Sequence, residues 1–120
     1  MVKELDFCKI EFHSNYVICN INEGETISQK RSEELTKVLL NHFKEKSFVY
    51  ITHRIYSYSV DPTIYNKLSK IKTFTGFAVV SSNLVVQQTA EVEKLFFKKP
   101  FKIFNDLETA KEWASIIANS

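Results

Sequence analysis

The sequence predicts one small α/β domain over residues 1–120, with a mostly parallel sheet, helical crossovers and the element order β-β-α-β-α-β-α-β-α. Two short runs that alternate apolar and polar residues come first, at 5–12 and Tyr16–Ile21. These runs predict an N-terminal β-hairpin. Helical and extended patterns then alternate to the C-terminus, which is typical of parallel strands joined by helices. A chain of 120 residues is long enough to bury one core without disulfides.

The hairpin has a predicted register, because Ser14 and Asn15 fit a two-residue turn. Side chains alternate along a strand, so alternate pairs across this turn share one face of the sheet. Three pairs are expected on the apolar face: Phe12 with Val17, Ile10 with Cys19, and Cys8 with Ile21. Both cysteines are therefore expected to be buried, reduced thiols, and the sequence has no CxxC pair or zinc-ligand spacing.

The first helix and the strand after it are predicted from a capping pattern and an apolar run. Thr26 and Gln29 fit a capping box, which predicts a helix that begins near Thr26. Its inward stripe is expected to contain Ile27, Leu35, Val38, Leu39 and, at the end, His42 or Phe43. Residues 47–52 are apolar almost throughout, as in a parallel strand that is covered on both faces.

The second helix is predicted from Asp61 and Pro62, an N-cap residue followed by the proline that favours the first helical position. This helix is expected to bury Ile64, Leu68 and Ile71. The strand Phe74–Val80 follows, and Gly76 within it indicates a place where a helix packs closely.

The third helix is predicted to begin after Ser81, Ser82 and Asn83, which are all good N-cap residues, and to run through Lys98. Pro100 then prevents its continuation. Its inward stripe is expected to contain Val85, Thr89, Val92 and Phe96.

The last two elements are a short strand, Phe101–Phe104, and a C-terminal helix. Asn105 or Asp106 is the expected N-cap, and Asn105 forms a second capping-box pattern with Glu108. The inner positions of this helix are expected to be Leu107, Ala110, Ala114 and Ile117, with Trp113 on the flank.

Charge and hydropathy argue against nucleic-acid and membrane roles. The net charge is only +2, and a cluster of lysines beside phenylalanines is explained by helix ends next to core aromatics. That cluster comprises Lys94, Lys98, Lys99 and Lys102. The N-terminus lacks the apolar region of a signal peptide, and no apolar run approaches the ~18 residues of a membrane span. A cytoplasmic protein without a transmembrane segment is expected.

Catalytic patterns are missing from the sequence. There is no Gly-rich phosphate loop, GxSxG elbow, HExxH motif or cluster of His, Cys and carboxylates. Paired carboxylates such as Glu33/Glu34 and Glu91/Glu93 are expected on solvated helix faces, where acid–base catalysis is not favoured. We therefore predict no catalytic residue, no metal and no cofactor, and a protein that is not an enzyme.

The carboxyl ends of the parallel strands are the expected place for any binding site, because helix N-termini and loops converge there. Arg54 offers a planar donor pair suited to phosphate or carboxylate, unless it pairs with Asp61 or with a carboxylate at a helix end. The other side chains of this rim have alternative roles as caps or loop residues. The rim comprises His53, Arg54, Tyr56, Ser57, Tyr58, Ser59, Asp61, Ser81, Ser82 and Asn83.

The chain resembles the STAS-like group of domains, named after the sporulation anti-sigma-factor antagonist. It does so in its order of elements and in the segment 104–113, FNDLETAKEW, where a strand ends in Phe104 and the final helix carries Ala110 and Trp113. The resemblance implies a βα superhelix with an N-terminal hairpin and an uncharacterised, bacterial-type domain. Antagonist-like members are non-enzymatic regulators that dock on partner proteins and carry a phosphorylated serine at the second helix. Ser57 and Ser59 are the candidates here, although the motif's glycine is missing.

Two functions follow as expectations. The first is a regulatory or protein-interaction module. The second is a binder of a small anionic or amphipathic, lipid-like ligand, since other members of the wider group are compared with lipid-carrying domains. An apolar pocket beside Arg54 favours the ligand, whereas a flat rim with exposed tyrosines favours protein docking. A homodimer is compatible with both.

Overall fold

The computed structural model describes residues 1–54 and 59–119. The strands are Val2–Glu4 (β1), Cys8–Phe12 (β2), Tyr16–Ile21 (β3), Thr26–Ile27 (β4), Phe48–His53 (β5), Ser59–Val60 (β6), Phe74–Val80 (β7) and Phe101–Phe104 (β8). The helices are Gln29–Phe43 (α1), Ile64–Ser69 (α2), Leu84–Lys94 (α3) and Leu107–Ala118 (α4). No helix within the described ranges is long and apolar enough to cross a membrane.

The main sheet has the strand order β1-β2-β3-β5-β7-β8. β1, β2 and β3 pair antiparallel, whereas β3, β5, β7 and β8 run parallel, with Tyr50 opposite Phe77 in the middle. The hairpin register is confirmed in all three predicted pairs: Phe12–Val17, Ile10–Cys19 and Cys8–Ile21. The fold class and the central pairing of parallel strands are therefore as predicted.

Two hydrophobic clusters lie on opposite faces of the sheet. The larger cluster joins the sheet to α1, α2 and α3 and contains Leu39, Leu68 and Ala90 from those helices. The smaller one joins the sheet to α4 through Ala110 and Ala114, which are both fully buried. Parallel strands such as β5 are therefore covered on both faces, which explains their continuous apolar sequence.

The N-terminal third departs from the prediction in two places. Residues 5–12 are not one strand, because the Leu5 N–H donates to the Cys8 carbonyl and turns the chain between β1 and β2. α1 does not begin at Thr26, because Thr26–Ile27 forms β4, which pairs in parallel with β6. Ser28 is the N-cap instead, and its side chain accepts from the Arg31 N–H. The stripe from Leu35 to Phe43 faces inward as expected.

Later helix boundaries also shift. α2 begins at Ile64, after a turn in which the Ile64 N–H donates to the Asp61 carbonyl. α3 ends at Lys94 rather than at Lys98. α4 is capped by Asp106, which accepts from the Thr109 N–H, so the capping box on Asn105 is wrong.

The orientation of α3 is the largest correction. The predicted inward stripe of Val85, Thr89, Val92 and Phe96 is exposed. Instead, Ala90 and Glu93 on α3 are buried, and so is Phe97 just after it. The physical reason is an ion pair between Glu93 and Arg54, since it requires Glu93 to face the sheet. Each residue advances a helix by about 100°, so turning Glu93 inward turns Val92 outward.

Candidate functional site

The carboxyl ends of β5 and β7 meet at one edge, as the sequence predicts. His53 pairs with Val80, and the Arg54 N–H donates to the Val80 carbonyl at 2.9 Å. The Ser81 N–H donates to the Phe104 carbonyl at 3.0 Å, which brings β8 to the same edge. Tyr56, Ser57, Tyr58 and the side chain of Ser59 lie outside the described residues, so the predicted phosphorylation sites stay predictions.

Arg54 does not project into solvent at this edge. Its side chain is 5% exposed, and its guanidinium forms a two-pronged pair with the Glu93 carboxylate, which is 9% exposed. Nη2 lies 2.5 Å from Oε1 and Nη1 lies 3.3 Å from Oε2. The Tyr65 hydroxyl donates to the same Oε1 at 2.8 Å. One buried carboxylate therefore connects the end of β5 with α2 and α3.

This cluster decides between the alternatives for Arg54. Its partner is a helix-end carboxylate, since Glu93 lies in the last turn of α3. The alternative of a pair with a helix-end carboxylate is therefore confirmed, whereas the expectation that Glu93 lies on a solvated helix face is wrong, because Glu93 is buried. A guanidinium matched in this way by a buried carboxylate has its charge balanced inside the fold. The geometry therefore gives Arg54 a structural role.

The remaining rim residues mostly act as caps. The Ser81 hydroxyl accepts from the Asn83 N–H at 3.1 Å, and Asn83 accepts from the first amides of α3. The Asp61 carboxylate accepts from both the N–H and the hydroxyl of Thr63, and these bonds hold the pKa of Asp61 below its ordinary value. Ser82 is exposed and His53 is half-buried.

A groove between α1 and α2 is the site that the sequence reasoning missed. This α1–α2 groove has a volume of about 400 Å³. Its floor is apolar and its rim is polar, with Lys37 and Lys67 on the two helices. The apolar floor is formed by Leu40, Ile64, Leu68 and Ile71. The volume lies within the range of about 300–1,000 Å³ that is typical of small-molecule sites.

A second space, the inner cavity, lies beneath the groove. It measures about 30 Å³, room for about two water molecules. Ser32, Thr36, Ile64 and Leu68 line both spaces, so the groove and the cavity adjoin. The cavity wall is mainly apolar, and it also includes the Arg54 and Tyr65 side chains.

Polar contacts cross the groove at its outer edge. The Gln29 amide donates to the Thr63 hydroxyl at 3.0 Å, and the Lys67 ammonium donates to the Gln29 carbonyl oxygen at 2.9 Å. Lys67 also lies 3.7 Å from the Glu33 carboxylate. All of these are exposed, and exposed ion pairs contribute only about 0–1 kcal/mol. These polar contacts therefore add little to the packing of α1 against α2, which rests on buried apolar side chains such as Leu35, Ile64 and Leu68.

One sequence signal could have located the groove. Ser32 and Thr36 are four residues apart on α1 and lie beside the inward stripe, where larger apolar residues would fill the space. Small hydroxyl side chains at these positions leave volume under the helix.

Within residues 1–54 and 59–119, no group of three or more His, Cys, Asp or Glu residues is placed to hold a metal.

Comparison with known proteins identifies the fold. The chain is similar to the crystal structure of an uncharacterized protein from the DUF3478 family with a SpoIIAA-like fold, from Shewanella loihica PV-4. The TM-score is 0.61 with 18% identity, over 95% of this chain and 98% of that chain. No protein-family model matches the chain, and no curated protein matches it significantly. At this identity the likeness shows a SpoIIAA-like, that is STAS-like, fold and no activity.

Proposed function

We propose that this SpoIIAA-like domain is a non-enzymatic binding module that holds a small amphipathic molecule, an apolar chain with an anionic head, in the α1–α2 groove. The observation that carries the proposal is the adjoining pair of spaces, an open groove above an apolar cavity. Binding sites for small molecules are mostly apolar concavities with a few polar groups that fix orientation. The groove and the cavity together have this character.

The apolar part of the ligand would occupy the floor and the cavity. The inner cavity of about 30 Å³ is too small for an alkyl chain while α1 and α2 are packed together. The polar contacts between Gln29, Thr63 and Lys67 are exposed and weak, and the ligand chain would replace the apolar contacts that the buried Ile64 and Leu68 side chains lose when α1 and α2 separate. A chain entering between Ile64 and Leu68 would then reach the aromatic side chains of the sheet, Phe74 and Phe77.

The head group would lie at the rim. Lys37 is exposed on α1 beside the groove and is assigned to the head, whereas Lys67 on α2 already contacts the Glu33 carboxylate and the Gln29 amide. A carboxylate or phosphate near the Lys37 ammonium group would gain charge-assisted hydrogen bonds. Arg54 is not assigned to the head, because Glu93 already balances its charge.

The test is a titration with decanoate and with decanol, which share the chain and differ in the head, followed by two-dimensional NMR. We expect saturable shifts of α1 and α2 amides with both probes and tighter binding of decanoate. Thr36→Phe fills the space shared by the groove and the cavity. It should weaken the binding of both probes by about ten-fold or more, that is about 1.4 kcal/mol. Lys37→Gln should weaken the binding of decanoate only.

The matched control is Ile116→Phe, which adds the same aromatic ring at an exposed position on α4. This variant should bind both probes like the parent chain. Absence of saturable binding, or equal effects of Thr36→Phe and Ile116→Phe, would overturn the groove as a ligand site. Turnover of either probe would contradict the non-enzymatic assignment.

A regulatory protein-docking role, implied by the STAS-like resemblance, is the second candidate. A specific feature favours it, namely the exposed apolar residues along α3. Exposed apolar patches of this kind mark interaction surfaces. The docking surface would therefore be α3, since the Arg54 side chain of the rim is buried.

A further inference from the structure

Lysines are concentrated at the amino ends of the parallel strands. The α1–β5, α2–β7 and α3–β8 connections reach this edge of the sheet, and each of them carries two lysines, whereas Glu45 is their single carboxylate. Because β5, β7 and β8 are neighbours in the sheet, the three connections lie within about 10 Å along it. This lysine edge comprises Lys44, Lys46, Lys70, Lys72, Lys98 and Lys99.

The opposite edge of the sheet is acidic. Five carboxylates and no lysine occur in its connections, which are residues 5–7, 22–25, 61–63, 81–83 and 105–106. The carboxylates are those of Asp6, Glu23, Glu25, Asp61 and Asp106. The Arg54 charge at this edge is balanced by Glu93. The net charge of only +2 therefore results from a cationic edge and an acidic edge that nearly cancel.

Hydrogen bonds join two of the lysine-bearing connections into one surface. The Lys98 N–H donates to the Ser69 hydroxyl at 2.8 Å, next to the α2–β7 connection. The Lys99 ammonium donates to the carbonyls of Ile71 and Phe74, across the same boundary. The other five lysines of the edge are exposed, and none of them forms an ion pair with a carboxylate of the described residues. Five cationic side chains therefore face solvent on this edge.

Two large apolar side chains lie beside these charges. Leu95 is 76% exposed and Phe96 is 37% exposed, and both belong to the α3–β8 connection, just before Lys98. The sequence analysis explained the lysines here by neighbouring core aromatics. That explanation holds for Phe97, which is buried in the larger cluster, but it does not hold for Phe96. Lysines around exposed apolar side chains are typical of segments that lie on anionic membranes.

We infer that the lysine edge docks on the surface of an anionic phospholipid bilayer, with its ammonium groups among the head groups and Leu95 and Phe96 in the interface. Charge complementarity selects an anionic partner, and each lysine near such a surface strengthens binding by about five-fold. A nucleic acid would also match the charge, but Leu95 offers its bases neither a hydrogen bond nor a stacking ring. Net charge and the lack of a long apolar run argue against a spanning segment, whereas surface docking depends on local charge.

The α1–α2 groove opens toward the same edge. Leu40 and Asn41 of its wall lie in the last turn of α1, and Ile71 lies in the α2–β7 connection. Docking would therefore bring the groove close to a source of amphipathic molecules. This consequence rests on the proposed function, whereas the docking itself does not depend on the groove.

Cosedimentation of the full chain with vesicles tests the inference, using phosphatidylcholine alone and phosphatidylcholine with about 30% phosphatidylserine as the anionic lipid. We expect binding to the anionic vesicles only. Salt at about 1 M should weaken it by about ten-fold or more, because the Debye length falls to about 3 Å. Lys72→Gln/Lys98→Gln should weaken it by about 25-fold, that is about five-fold per lysine. Leu95→Ala should weaken it by about five-fold, because apolar atoms are lost from the interface.

Each variant has a matched control. Lys9→Gln/Lys30→Gln removes the same charge from exposed positions near the opposite edge. Leu84→Ala removes the same atoms from an exposed position at the other end of α3. Both controls should bind anionic vesicles like the parent chain. Thr36→Phe should also bind them like the parent, so failure of the groove and failure of the docking surface are distinguishable.

Three results would overturn the inference. They are equal sedimentation with both kinds of vesicle, no sedimentation with either kind, and equal loss in the two double variants. Tighter binding of a labelled DNA oligonucleotide than of the anionic vesicles would also overturn it, and would assign the lysine edge to nucleic acid.

Discussion

The Tyr65 hydroxyl donates to the Glu93 oxygen that also receives the Arg54 guanidinium, so a single carboxylate holds α2, α3 and the end of β5 together. The three residues are far apart in the sequence and are buried in the fold. Because the Glu93 carboxylate is only 9% exposed, loss of its partners would leave a buried polar group without compensation.

Loss of Glu93 should therefore be costly. Glu93→Ala leaves the Arg54 charge buried without its carboxylate, and we expect a loss of about 3–5 kcal/mol in the free energy of unfolding. The double variant Arg54→Met/Glu93→Leu removes both charges and keeps apolar volume, so it should be less destabilised than the single variant. Equilibrium urea denaturation followed by circular dichroism gives the free energy of unfolding of the parent chain, the single variant and the double variant.

The matched control is Glu91→Ala, which changes an exposed carboxylate two residues earlier on α3. Surface substitutions of this kind change stability by within about 0.5 kcal/mol. If the double variant were as unstable as Glu93→Ala, the buried charge would not be the cause of the loss.

The sheet could be predicted from sequence, whereas the site could not, and the difference is physical. A strand has a side-chain period of two, so the turn at Ser14 and Asn15 fixes which residues share a face. The rotation of α3 depends on Arg54, 39 residues from Glu93. β4 and β6 have two residues each, too few to show a period. Periodicity within a helix cannot reveal a distant buried partner.

The predicted close approach at Gly76 is confirmed and can be tested. A Cβ at Gly76 would lie 3.2 Å from Ile117 Cγ2 and 3.4 Å from both Trp113 and Val49 side-chain atoms. Gly76→Val should lower the free energy of unfolding by about 1–3 kcal/mol because the added atoms overfill this contact. A thermal or urea unfolding curve measures the loss.

Ile117→Ala separates overfilling from other effects of the valine. Combined with Gly76→Val, it removes the nearest opposing atoms, so the double variant should lose less stability than the sum of the two single losses. Additive losses would show that contact with α4 is not the reason for a glycine at this position.

The two cysteines should be inert in the folded protein. A hydrogen bond with Cys19, together with burial, raises the pKa of the Cys8 thiol far above its ordinary value. Thiolate is the reactive form, so Ellman's reagent should not react with the native chain and should label both thiols after unfolding in urea. The control is Leu95→Cys, whose thiol replaces an exposed side chain. Labelling of the native chain as fast as this variant would contradict the prediction.

Acid should weaken the start of α4 through Asp106. Its carboxylate accepts from the N–H and the hydroxyl of Thr109, both at 2.8 Å, and these bonds lower its pKa below the ordinary value of 3.8. A lowered pKa in the folded state means that the contribution to stability is present above 3.8 and is lost as the pH falls through the folded pKa. Asp106→Asn keeps a capping oxygen that cannot titrate in this range. The stability advantage of the parent chain over this variant should therefore shrink on acidification.

The measurement is urea denaturation of both chains from neutral pH to below 3.8, with an NMR titration of the Asp106 carboxyl carbon. Thr109→Val retains the amide donor and loses the hydroxyl. The pH dependence of its free energy of unfolding should therefore lie between those of the parent chain and Asp106→Asn. A constant difference in the free energy of unfolding between parent and Asp106→Asn across this range would show that the carboxylate charge does not stabilise the helix. Titration of Asp106 at or above its ordinary pKa would contradict the two hydrogen bonds themselves.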